Sequence, residues 1–162
     1  EQWISYFFVW HVFLKVVFQL PITRWVKSIN YVSILLVAVT VWSLAFFLLW
    51  LTAVVPSGAV YVVVGAFSLI ALAEILYSPA GVSLLGEMSP ENLRGIYFSL
   101  ESQCWSIGFA VGPAVGGWAL DHPDTVGINL WLYIITGGLI ASLILAVLRQ
   151  QLAAESTLAI ES

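Results

Sequence analysis

The amino-acid sequence reads as an all-α membrane protein with five transmembrane helices. Three observations carry that expectation. Of its 162 residues 61% are hydrophobic and only 9% are charged, against about a quarter charged in a soluble domain. No Asp, Glu, Lys or Arg interrupts the chain between Lys27 and Glu74. The apolar runs are long and continuous, unlike the alternating strands of about ten residues that build a membrane barrel.

About 20 apolar residues cross the hydrocarbon core as a helix, and five segments reach that length. Span one covers about residues 3–22. Span two covers 31–55 and ends at the turn sequence 56-PSGA-59. Span three covers 60–85, with an interruption expected near Pro79 and Gly81. Span four covers 96–120 and span five 128–148. Residues 1–149 are thus a membrane domain, and the polar tail 150–162 is expected to be a frayed cytoplasmic end.

The loop cations set a direction. Arg24 and Lys27 follow span one, Arg94 follows span three and Arg149 follows span five, whereas 56-PSGA-59 and 121-DHPDTVG-127 carry none. Cytoplasmic loops hold the excess of Lys and Arg, so the amino-terminal end lies outside and the carboxyl-terminal end inside a cell membrane, of bacterial inner-membrane kind. The chain opens on EQWISYFFVWHVFL rather than on a signal sequence. An outside start of this sort is natural if at least one span precedes it.

Several function classes fall away. With a formal charge of -4 there is no basic tract for nucleic acid, and one Cys and two His make no zinc or iron-sulfur pattern. No cofactor is expected, and no serine or metal constellation with a partnering histidine suggests an intramembrane enzyme.

Ionisable groups within a span are costly and normally face a bundle interior or a watered cavity. Span one carries His11, Lys15 and Gln19 at four-residue steps, along one slowly drifting helix face. Span three carries Glu74, Tyr77, Ser78 and Gly81 on one face, and span four carries Glu101 in line with Gly108 and Gly112. At about 1.5 Å per residue, Lys15 and Glu101 lie roughly 10 Å inside the cytoplasmic ends and Glu74 nearer the midplane. Lys15 is either a snorkelling anchor or a cavity residue. Glu74 is too deep to snorkel easily; it is a proton or substrate contact, or else a packing acid bonded to a neighbouring helix. Glu101 and His11 are lesser candidates of the same kind.

Two further motifs stand out. The stretch 108-GFAVGPAVGG-117 aligns Gly108, Gly112 and Gly116 as overlapping GxxxG units, with Pro113 and Gly117 beside them. Small residues at this spacing let helices approach closely, and a proline removes one internal hydrogen bond. The loop 86-GEMSPENLRGIYFS-99 brings Glu87, Glu91 and Arg94 close in sequence, as a capped turn or as ion pairs that hold one conformational state.

Together, 74-EILYSPAGVSLLGEMSPENLRGIYFSLES-102 and 108-GFAVGPAVGGWALDH-122 resemble the end of the second half of major facilitator superfamily transporters, in the branch that includes multidrug/proton antiporters. Spans one, two and five match in length, order and loop charge. The resemblance implies helices eight to twelve of a twelve-helix fold, built as two halves of inverted three-helix repeats around a midplane cavity. Helices eight, ten and eleven would then line that cavity, and the partners would be membrane lipid, a missing amino-terminal half, a small organic substrate and protons. Where the family often has a gate rich in glycine, aspartate and arginine, 19-QLPITRWVKSINY-31 keeps only Arg24 and Lys27. The expected function is proton-coupled export of small organic compounds or drugs by alternating access. The competing expectation is a five-span structural or assembly protein without transport activity.

Overall fold

A computed structural model of the chain describes residues 2–55 and 58–161, with side chains for 5–52, 54–55 and 58–152. The order of elements is α1 Gln2–Val26, α2 Tyr31–Val54, α3 Ala59–Met88, α4 Arg94–Asp121, a short 3-10 turn Gly127–Asn129 and α5 Leu130–Glu161, with no strand among the described residues.

Each expected span is found as a helix, but several boundaries differ. α1 runs through Pro21 to Val26, and α3 runs unbroken through Pro79 and Gly81 to Met88. A proline removes one hydrogen bond from a helix, and the neighbouring turns here hold the rest. The expected interruption at Pro79 and Gly81 is therefore corrected. α5 extends for 32 residues instead of stopping near Leu148. At 1.5 Å per residue that is about 48 Å, longer than a hydrocarbon core of about 30 Å. The tail read as a frayed end is thus a continuation of helix, in keeping with its Gln, Leu, Ala and Glu content.

Four of the five helices are long and apolar enough to cross a membrane: α1, α2, α3 and α5. α4 has the length, 28 residues, but Glu101, Ser102, Gln103, Pro113 and its glycines dilute its apolar content.

The turns have local causes. Asn30 caps α2, its side-chain oxygen accepting from the backbone N–H groups of Val32 at 3.0 Å and Ser33 at 3.3 Å. Gly58 takes φ +83° ahead of α3, a left-handed conformation that suits glycine. Pro56 and Ser57 of the same expected turn lie outside the described residues.

The helices pack in the order α1, α3, α2, α5, with the most extensive contact between α2 and α3. Its seam is made of alanine. Ala38 and Ala45 on α2 and Ala66, Ala73 and Ala80 on α3 recur at seven-residue intervals, and each is at most 1% exposed. Such small side chains let two backbones approach closely. Val26, Ile34, Leu35 and Leu76 continue this core toward the end of α1. α2 meets α5 at Gly138, where an added Cβ would lie 2.8 Å from Ser43 Oγ, and where Phe46 stacks on Trp131 at 5.8 Å.

α4 stands apart, touching α3 only lightly. Nothing lies within 4 Å of where a Cβ would sit on Gly108, Gly112, Gly116 or Gly117. Among the described residues no helix packs on these glycines, and the stripe around Pro113 is an open face. The close contacts run instead through the alanine seam and Gly138.

Candidate functional site

Glu74 lies within the stretch of α3 that carries the seam alanines, one residue and about 100° round the helix from Ala73. Its Oε2 accepts from Lys15 Nζ at 2.6 Å and lies 3.3 Å from His11 Nε2. These are the two ion pairs among the described residues. Both partners come from α1, one turn apart, so the four-residue step of His11 and Lys15 delivers both to one carboxylate oxygen. The ammonium of Lys15 turns toward Glu74 rather than away along the helix. The pair is open on one side, with Lys15 39% and Glu74 31% exposed, whereas the His11 side chain is 13% exposed.

The proton placement on His11 follows from its neighbours. Its Nδ1 lies 3.4 Å from the Phe67 backbone oxygen, which only accepts, so a bond there places a proton on Nδ1. Nε2 then faces Glu74 Oε2, and a bond between them needs a second proton, on the imidazole or on the carboxyl. The ring is held edge-on by Phe67 at 6.4 Å, and Phe67 in turn contacts Phe7 and Phe8 at 5.7 Å. Trp10 donates to Ser68 Oγ at 2.9 Å, a second polar link between α1 and α3.

A cavity of about 340 Å³ opens beside this group, lined by Lys15 and Gln19 of α1, Glu74, Tyr77, Ser78 and Val82 of α3, and Glu101, Trp105 and Phe109 of α4. Among the described residues, α2 and α5 contribute none to its wall. Five sequence candidates thus meet at one place: Lys15, Glu74, Tyr77, Ser78 and Glu101. His11 reaches it through Glu74. On α4, Glu101 Oε1 accepts from Trp105 Nε1 at 2.8 Å, and Trp105 meets Tyr77 at 5.8 Å edge-on.

Other candidates are not brought together. Among the described residues no ion pair joins Arg94 to Glu87 or Glu91. Arg94 opens α4, Glu87 lies in the last turn of α3, and a turn closed by Leu93 N–H donating to Pro90 O separates them. No group of three or more His, Cys, Asp or Glu among the described residues could hold a metal ion.

Sequence reasoning missed Trp105 and Phe109, which with Tyr77 make the aromatic wall. Their signal was present: 101-ESQCWSIGF-109 repeats acid, Trp and Phe at four-residue steps, one face of a helix.

Long apolar helices around a polar, charge-bearing cavity define a polytopic membrane protein with a site inside its helical bundle. The family model of the Major Facilitator Superfamily matches residues 2–158. The chain belongs to this superfamily, a family of membrane transporters rather than enzymes. Searches of curated proteins and of solved structures return no match.

Proposed function

We propose that the protein is a proton-coupled secondary transporter that exports small organic compounds by alternating access, with Glu74 as the group that exchanges protons with the cavity. One observation carries the reading: a carboxylate on a cavity wall, inside an apolar helix, bonded by two residues of a different helix. Because α1 and α3 meet through that carboxylate, a change in its protonation alters the contact between two helices. That links proton occupancy to helix position, the requirement for coupling.

The open side of the cavity and the bare glycine face of α4 support a second helical body closing over them, the amino-terminal half that the resemblance implies. The apolar outer faces of α1 and α5 suit lipid. Cytoplasmic placement of Arg24, Lys27, Arg94 and Arg149 fits the same arrangement.

The test is uptake by everted membrane vesicles containing the full-length protein, using an anionic, a neutral and a cationic fluorescent dye under an acid-inside gradient. Accumulation of at least one dye that collapses with a protonophore supports the reading. Equal accumulation in vesicles with and without the protein, for all three dyes, contradicts it.

A further inference from the structure

We infer that a second cavity, at the Arg24 end of α1, seats the phosphate of an anionic phospholipid whose acyl chains stay in the bilayer. It shares no lining residue with the cavity at Glu74. The inference requires only that the helices lie in a membrane, whatever solute they carry.

This cavity, of about 300 Å³, lies where α1, the turn after it, α2 and α3 come together. Two of its lining residues are cations, Arg24 in the last turn of α1 and Lys27 in the turn that follows. Among the described residues neither has a carboxylate within ion-pair distance. No Asp or Glu among them lines the cavity, and Glu87, one turn beyond Ser83 on α3, pairs with neither cation. Tyr31 of α2 and Ser83 of α3 add hydroxyls that have no hydrogen-bond partner among the described residues. A helical serine commonly donates to the carbonyl one turn back, as Ser43 and Ser68 do; Ser83 keeps its donor for the cavity. Two unpaired cations and two free hydroxyls, with no acid among them, match a phosphate, whose charged oxygens accept strong hydrogen bonds from Arg and Lys.

The surroundings select a lipid over a free anion. Val26, Ile34 and Ala80 give the cavity an apolar floor and belong to the buried core. Trp25, between the two cations in sequence, is 82% exposed, and Ile29 is exposed as well. Trp side chains favour the headgroup level of a bilayer, so this end of α1 lies at the interface, where lipid phosphates are. The glycerol and upper chains of a phospholipid cover Trp25 and the apolar floor, whereas inorganic phosphate leaves both in water. Basic pockets between membrane helices hold lipid headgroups on the cytoplasmic side, the side that Arg24 and Lys27 take in the proposed orientation. A phosphate seated there links the ends of α1, α2 and α3 through one anion.

The experiment is native mass spectrometry of the full-length protein in detergent. It is titrated with phosphatidylglycerol, with phosphatidylcholine of the same chains, and with glycerol 3-phosphate, which has the phosphate but no chains. The first phosphatidylglycerol should bind about tenfold or more tightly than the first phosphatidylcholine. Arg24→Gln and Lys27→Gln should each weaken phosphatidylglycerol about fivefold, and the double variant about tenfold or more. Arg149→Gln, which removes a cation outside the cavity, should change it by less than about twofold. Should the double variant fail to fold, the two single variants decide. Equal affinity for the two lipids overturns the proposal, as does unchanged phosphatidylglycerol affinity in either single variant or an equal loss in Arg149→Gln. Glycerol 3-phosphate binding as tightly as the lipid assigns the cavity to a free phosphate and overturns it too.

Discussion

Lys15 and Glu74, 59 residues apart in sequence, meet at 2.6 Å and tie α1 to α3 at the wall of the cavity. This contact is the most direct link between the charges scattered through the spans and a single site. Because both side chains are more than 30% exposed, its contribution to stability is modest. In a double-mutant cycle of Lys15→Met and Glu74→Gln, the coupling energy from thermal unfolding should be about 1 kcal/mol. Independent, additive effects would show that the pair does not form in the membrane.

Two glycine substitutions should behave oppositely. Gly138→Ala places a methyl 2.8 Å from Ser43 Oγ, itself bonded to the Val39 backbone oxygen at 2.9 Å. The Ser43 side chain must shift or α5 must move off α2, at a cost of roughly 1–3 kcal/mol. In the 162-residue chain by itself Gly112→Ala meets no described residue within 4 Å, and its expected effect on unfolding of these helices is about zero or slightly stabilising. A thermal-shift comparison in the same detergent checks the contrast. Equal destabilisation of both would contradict the placement of the two glycines.

The α2–α3 seam gives a third expectation. Ala73 is fully buried between α2 and α3. Ala73→Leu should destabilise the bundle by roughly 1–3 kcal/mol through overpacking. Chemical denaturation checks it, and an unaltered midpoint would mean that the two helices do not approach closely there.

Asn30→Ala removes the side-chain acceptor of two backbone N–H groups at the start of α2. The expected loss is about 1 kcal/mol. Asn30→Asp, which keeps an acceptor, should recover most of it, and a loss as large as that of the Ala variant would show that the cap is not formed.

How far the sequence revealed the molecule depended on the kind of contact. Helix positions were legible because apolar length alone marks them; their ends were less so, since Pro21 and Pro79 look like breaks yet are carried within helices. Glu74 was legible as an isolated acid in an apolar stretch. Its partners were present as an i, i+4 pair on span one, but nothing local says which face of α1 turns to which face of α3. The glycines of α4 drew attention because GxxxG is a familiar packing pattern, while the alanines at positions 38, 45, 66, 73 and 80, more ordinary in an apolar helix, form the actual seam. Arg94 beside two acids in sequence suggested ion pairs, but the turn between α3 and α4 does not bring them together. Adjacency in a chain and adjacency in space part company most readily at such turns.

The most direct test of the central claim is proton movement itself. In proteoliposomes of the full-length protein loaded with a pH-sensitive dye, addition of a transported compound should drive a proton flux with the native protein. With Glu74→Gln, inserted at equal level, that flux should fall about tenfold or more, because the neutral amide cannot release a proton to the cavity. Native-like proton flux with Glu74→Gln would contradict the assignment of Glu74 as the coupling group.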